Sequence, residues 1–474
     1  MARRRAVAAL LATLALPASA HAGTPGRWTR VTFPTGQNID QVGLVRAPDG
    51  VLHVDFLAKN TGDSTKTDVF HDAITAAGAV GTPEPIQQGW ASLSNPAIIL
   101  DGGGLRAFFG GIRTIDPGET NNNLNTATAP LSGGAWALAP DTVATDSSAY
   151  ASPMSSTVAG GAPWQAWAGT AGVFVHRGLD PNAPNADLES QLGGCCGYDP
   201  GLVTEPSTGA PVVAWFSNAT GKTGVWAQAL DPATGNPVGG ATFMPGSATN
   251  GNADQQLART PIAVRPGKPG AFIAYPGNYP TTTRVVLWQV GAPRSTVVAT
   301  GGGEHRTVTL AGAPDGRLWV LWEQRAANGT PRVFARRSNP TVTAFGGTVE
   351  VAPPPRASDG WKLDADAQTG VVDVLGSFTT PEGLATWHTQ ILPGLTLEAK
   401  RPRARRGGKV AIAVRTLDAG APLGGVTVRA AGRSVKTASN GRVTLTVKRG
   451  KRRSLKLTAT RAGYAAATAT VRLS

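Results

Sequence analysis

The sequence predicts an all-β chain, a seven-bladed β-propeller followed by a small β-sandwich. Three observations predict it. A short strand pattern returns about every fifty residues, a second strand follows it in most copies, and the last eighty residues change charge and pattern abruptly. Internal repeats outrank other signals, because a missed repeat misassigns the whole fold.

The repeated strand reads LHVDFLA from Leu52, LRAFFGG from Leu105, PWQAWAG from Pro163 and PVVAWFS from Pro211. It continues as AFIAYPG from Ala271, LWVLWEQ from Leu318 and VVDVLGS from Val371. Its fifth position is Phe56, Phe109, Trp167, Trp215, Tyr275, Trp322 and Leu375, at steps of 53, 58, 48, 60, 47 and 53 residues. Turn signals such as APDG (47–50 and 313–316) precede it, and strands such as GVWAQAL from Gly224 and RVFARRS from Arg332 follow. Four short strands at such a period are the pattern of propeller blades. The fifth-position residue is expected to fill the wedge between blades. The seventh unit lacks an outer strand, and WTRVTF (28–33) is expected to supply it and close the ring. Closure leaves no open sheet edge within the ring.

The N-terminus reads as a signal peptide over residues 1–22. Arg3, Arg4 and Arg5 precede a short apolar run, and Ala18-Ser19-Ala20 and Ala20-His21-Ala22 fit a cleavage site. No later stretch has the roughly 20 apolar residues of a membrane helix. An extracellular location follows, free or held at the cell surface, with a monomer expected. The propeller is assigned to 23–394 and the sandwich to 395–474.

The sandwich shows alternation in KVAIAV (409–414), GVTVRA (425–430), RVTLTV (442–447), SLKLTAT (454–460) and ATATVRL (467–473). It holds 19 Lys and Arg against Glu398 and Asp418, within a chain of net charge +14. Two clusters stand out: Arg401, Arg403, Arg405, Arg406 and Lys409, then Lys448, Arg449, Lys451, Arg452 and Arg453. They are candidates for an anionic polymer of the cell envelope, or else a solvated basic face. Nucleic acid is not expected, since Tyr464 is the only aromatic residue of the module.

Strands alternate direction in a blade, so the first-strand starts and the loops after second strands share one face. Ligand candidates on it are Tyr198, Asp199, Arg259, His305, Arg306 and Trp361, with Glu323 and Arg325 in a strand-end loop. Cys195 and Cys196, in LGGCCGYDP, are the only cysteines. In an exported protein they can form a vicinal disulfide, a staple or a ligand platform, or stay as two thiols. The ring would be strained, because adjacent Cα atoms lie about 3.8 Å apart, below the usual disulfide range. No cofactor or metal is expected: His53, His71, His176, His305 and His388 are scattered singly, without ligand spacing.

In blade size, export and Trp-rich strands the chain resembles secreted sialidase-like propellers without Asp boxes. No segment fits the S-x-D-x-G-x-T-W box that sialidase blades carry; APDGVLHVDF (47–56) and APDGRLWVLW (313–322) share only its D-x-G-like turn. The resemblance implies an arginine cluster, for which Arg113, Arg259, Arg306 and Arg325 are available, and a tyrosine nucleophile, Tyr198 or Tyr279. The sequence PLGGVTV (422–428) with NGRVTLTV (440–447) resembles bacterial immunoglobulin-like and carboxypeptidase-regulatory-like domains, which implies a spacer or adhesion role. With no catalytic constellation in the sequence, the expected function is a non-catalytic binding protein whose propeller recognises extracellular carbohydrate or peptide. The alternatives are a propeller glycoside hydrolase or lyase, and a structural envelope protein.

Overall fold

The computed structural model describes residues 24–33, 42–63, 65–90, 93–94, 96–113, 122–144, 154–169, 172–193, 197–247, 259–277, 281–326, 328–400, 403–405, 408–448, 450 and 453–473. The expected signal peptide lies outside them. Among the described residues there is no α-helix, and no helix long and apolar enough to cross a membrane.

Residues 24–391 form seven four-stranded antiparallel sheets, numbered one to seven in chain order. Their first strands are Gly43–Arg46, Ala97–Asp101, Ser155–Ala159, Gly197–Thr204, Ile262–Arg265, His305–Gly312 and Asp359–Gln368. Each touches the next in this order, and Asp359–Gln368 touches Gly43–Arg46. That cyclic contact is the arrangement of a propeller.

The recurring pattern forms the second strand of every sheet. Its fifth residue is buried in all seven, from Phe56, fully buried, to Trp322, 2% exposed. Period-two alternation explains why one strand serves two interfaces. On Leu318–Arg325, Trp319 and Leu321 pack towards sheet seven, whereas Leu318, Val320 and Trp322 pack towards sheet five.

Sheet seven takes its outer strand from the N-terminus. Thr29 pairs with His388 and Arg30 with Trp387, as expected for WTRVTF. Trp28 then enters the core between sheets six and seven and donates its indole N–H to the Ala352 carbonyl at 2.6 Å.

The remaining strands form two further sheets. One orders Thr396–Ala399, Lys409–Asp418 and Arg403–Arg405, with Ala421–Pro422 and Arg442–Lys448 also on Lys409–Asp418. The other orders Arg433–Lys436, Thr427–Ala430, Ser454–Thr460 and Ala467–Arg472. Both contribute to one apolar core, with Ile412 and Leu445 from the first and Val428 and Leu457 from the second.

Candidate functional site

The upper face of the ring is the one on which the first strands begin. Arg259 stands just before sheet five and crosses this face. Its Nη2 donates to the Met154 carbonyl at 3.1 Å and the Val42 carbonyl at 3.4 Å, which lead into sheets three and one. The Val42 N–H in turn donates to Asp364 Oδ2 of sheet seven at 3.5 Å. Burial lowers the Arg259 pKa and the Asp364 charge opposes this. Arg259 and Asp364 also line a cavity of about 200 Å³ walled by the first strands, with Ser155, Leu202, Thr309 and Lys362.

A second charged group lies between sheets six and seven. Arg325, at the end of Leu318–Arg325, donates Nη2 to Asp359 Oδ1, at the start of Asp359–Gln368. Arg306 Nη1 is 3.7 Å from the same oxygen, and its Nε donates to Glu304 Oε2 at 3.3 Å. Alternation puts Glu323 on the same strand face as Arg325, one residue pair deeper. Glu323 is 1% exposed, and its Oε1 has no hydrogen-bond partner. A Cβ on Gly360 would come within 2.8 Å of Glu323 Oε2, so sheet seven passes close over this carboxyl. Burial pushes Glu323 up to about 8, with the Arg306 and Arg325 charges acting against it. It therefore carries a proton at neutral pH beside an ion-paired aspartate.

Glu189, ahead of sheet four, provides the contrast. It is also buried and its pKa is also raised by burial, but it accepts from Trp215 Nε1 at 2.6 Å and Ser217 Oγ at 2.5 Å. Both its oxygens are used in holding the fold, whereas Glu323 Oε1 has no partner.

No protein-family model matches the chain, and no curated protein does. Among solved structures the chain is similar to a Trypanosoma rangeli sialidase in complex with the inhibitor DANA, with 9% identity, 76% of this chain and 55% of that one covered, and a TM-score of 0.38. It is similar to an exo-β-1,3-galactanase from Clostridium thermocellum, with 9% identity, coverage of 89% and 99%, and a TM-score of 0.35. The third is an α-L-arabinofuranosidase from Podospora anserina in complex with cellotriose, with 9% identity, coverage of 65% and 92%, and a TM-score of 0.32. These values carry no argument about chemistry or ligand.

The residues singled out in the sequence are only partly brought together. Arg306 joins Arg325 and Glu323, while Arg259 stands apart at the axis. His305 is 1% exposed and meets Trp322 edge-on at 6.1 Å. Tyr198 packs against the core between sheets four and five. Asp199 has a φ of +50° at a bulge, and its carbonyl accepts the Thr260 N–H at 2.6 Å. Trp361 lies on Asp359–Gln368. Cys195 and Cys196, with the disulfide expected of them, lie outside the described residues.

In the C-terminal unit Arg401, Arg406, Arg449, Lys451 and Arg452 lie outside the described residues. Lys409, Lys448 and Arg453 are exposed, and Arg403 and Arg405 lie on a strand. The register aligns Arg405 with Lys409 and Lys409 with Lys448. The two basic runs therefore meet at one end of one sheet.

Two groupings escaped the sequence reading. Asp359 and Glu304 were hidden in polar turns. His53 and His71, read as isolated, place Nδ1 and Nε2 2.9 Å apart. Among the described residues no group of three His, Cys, Asp or Glu could hold a metal ion.

Proposed function

We propose that the chain is an exported, glycan-active enzyme, a hydrolase or lyase, whose seven sheets are the blades of one propeller. Residues 395–474 are proposed to be an immunoglobulin-like sandwich that holds it to anionic envelope polymers. The observation that carries the enzymatic reading is Glu323, a buried, protonated acid with an unused oxygen, set behind Arg306, Arg325 and Asp359. Carboxyl groups whose surroundings differ this much are a recurrent arrangement in glycoside cleavage. In hydrolysis Glu323 gives its proton to the glycosidic oxygen as the C–O bond breaks. Asp359, oriented by the two arginines, takes a proton from the water whose oxygen bonds to the anomeric carbon.

The test is turnover of neutral, uronic-acid and sialic-acid polysaccharides by the secreted full chain, read as new reducing ends or unsaturated uronate. Turnover that is lost in Glu323→Gln supports the reading. Tight binding with no turnover, unchanged in Glu323→Gln, overturns it and leaves a non-catalytic carbohydrate-binding protein. Arg259, which bridges the axis, is the feature that favours that second reading.

The anchoring role rests on the exposed Lys409 and Lys448, aligned across one sheet. Like charges directly opposite one another destabilise a sheet, and a bound polyanion removes that repulsion. Export is supported by Arg3–Arg5 and the small-residue cleavage pattern.

A further inference from the structure

Between sheets five and six a groove of about 620 Å³ opens to solvent. One wall is the outer strand of sheet five, Thr296–Thr300, with Gly301 and Gly302 after it. The other wall is one face of sheet six. Residues directly paired across strands share a face. Here His305 pairs with Gln324, Trp322 with Phe334 and Val320 with Arg336. Val320 and Trp322 pack towards sheet five, so Gln324, Phe334 and Arg336 face it too. Trp322 is buried and stacks with Phe334 at 5.7 Å, 12° from parallel. Phe334 itself is half-buried and lines the groove.

The lining contains no Asp, Glu or Lys among the described residues. Burial lowers the His305 pKa, so this ring is neutral at pH 7. Arg336 therefore carries the only charge of the lining. Its Nη1 donates across the groove to the Val298 carbonyl at 2.5 Å. Its Nε donates to the Gly346 carbonyl at 3.0 Å and its Nη2 to the Phe345 carbonyl at 3.4 Å. These acceptors are uncharged, and each terminal nitrogen keeps a second N–H. Arg332 and Glu350, on the same strand pair, neutralise each other. Burial lowers the Arg336 pKa, and no described carboxyl acts against that. A half-buried cation without a counter-charge leaves the groove at positive potential.

We infer that this groove binds a uronic-acid residue of an acidic polysaccharide, with the sugar ring on Phe334 and its carboxylate on Arg336. The two remaining terminal N–H groups of Arg336 suit the two oxygens of a carboxylate. Phe334 and Arg336 stand two residues apart on one strand, about 7 Å, which matches a sugar ring and the carboxylate it carries. The apolar C–H face of the ring packs on Phe334. Thr300 and Thr348, both exposed, and the half-buried Gln324 amide supply partners for the sugar hydroxyls. A largely apolar wall with a few polar groups that fix orientation is the usual make-up of a small-ligand site. A cationic ligand is disfavoured by Arg336 and by the lack of acids. An apolar anion would match the charge but leave the hydroxyl and amide groups unused. The inference goes beyond the reading of Glu323, which faces sheet seven from the same strand, and it does not depend on turnover.

The test is calorimetric titration of the full chain with the trimers of galacturonate and of mannuronate. The methyl-esterified galacturonate trimer and benzoate are the counterparts, one without the charge and one without the sugar. Saturable binding of at least one acidic trimer is expected, at least tenfold tighter than either counterpart. Arg336→Gln should weaken it at least tenfold and Phe334→Ala severalfold. If Arg336→Gln does not fold, Phe334→Ala and Thr348→Ala serve instead, each expected to weaken binding severalfold. No binding of either acidic trimer, or equal binding of the ester or of benzoate, overturns the inference. So does full affinity in the folded variants, which is what a site on the basic C-terminal strands would give. Loss of turnover in Glu323→Gln with trimer binding intact would leave this site standing, so the two readings fail separately.

Discussion

Arg337 of sheet six donates Nη2 to both carboxylate oxygens of Asp418 in the C-terminal unit, at 3.0 and 3.2 Å. Asp418 also accepts from Tyr464 Oη at 2.9 Å and lies 3.5 Å from Arg317 Nη2. Arg337 stacks over both Trp319 and Tyr464, so one buried cation is shared by the two units. Breaking a buried pair by neutralising one partner leaves the other charge uncompensated, at a cost of about 3–5 kcal/mol. Asp418→Asn is therefore expected to lower the unfolding midpoint and to split one calorimetric transition into two. A single transition at the wild-type temperature would contradict this account of the interface.

Glu323 makes stability depend on pH with a definite sign. Its ordinary pKa is 4.5 and the folded value is pushed up to about 8. Between those values the folded chain holds a proton that the unfolded chain has lost. The contribution is fully present below pH 4.5 and disappears as pH rises through the folded value, at about 1.4 kcal/mol per pH unit for one proton. Glu323→Gln copies the protonated form and removes this slope. Thermal melts are expected to show the variant gaining on wild type by a few kcal/mol at most between about pH 5 and pH 8. Parallel melting curves across that range would mean that Glu323 is ionised.

The architecture was legible because packing wrote it into the chain periodically. Phe56, Phe109, Trp167, Trp215, Tyr275 and Trp322 must each fill the same wedge, so the same residue class recurs at one strand position. The Thr29 pairing with His388 was legible for a related reason, since a ring with one strand missing needs a donor. The C-terminal strands followed from their alternation. The charged group around Glu323 was not legible. Asp359 meets Arg325 only because sheet six is followed by sheet seven in the ring, and no local pattern marks a carboxyl left without a partner. His53 and His71 sit on neighbouring strands, and their contact depends on a register that the intervening loop does not reveal. Cys195 and Cys196 had the opposite history, prominent in the sequence and outside the described residues.

Gly312 ends the first strand of sheet six where it runs against sheet five. A Cβ there would overlap the Val264 carbonyl oxygen, a backbone atom that cannot rotate away. Gly240 has nothing within 4 Å of its own Cβ position. Gly312→Ala is expected to cost about 1–3 kcal/mol or more, the range for overpacking a dense interior. Gly240→Ala should fall within about 0.5 kcal/mol of wild type, as for a surface change. Denaturant midpoints of the two variants check the pair. Equal midpoints would mean that the first strands approach less closely than described.

Ring closure rests on the first described residues. Trp28 is 8% exposed and meets Phe378 edge-on at 5.0 Å, and the next residues zip onto Gly383–Ile391. Replacing a buried Trp by Ala removes its transfer free energy and leaves a cavity, at about 3–5 kcal/mol. Trp28→Ala is expected to lose that amount while remaining monomeric, because Thr29 and Arg30 still cover the edge of sheet seven. Removing residues 23–33 adds a second defect, an uncovered strand edge whose free N–H and C=O groups pair with other chains. Size-exclusion chromatography should then show the truncated chain as aggregate and Trp28→Ala as monomer. A monomeric truncated chain of wild-type stability would mean that the ring closes without its N-terminal strand.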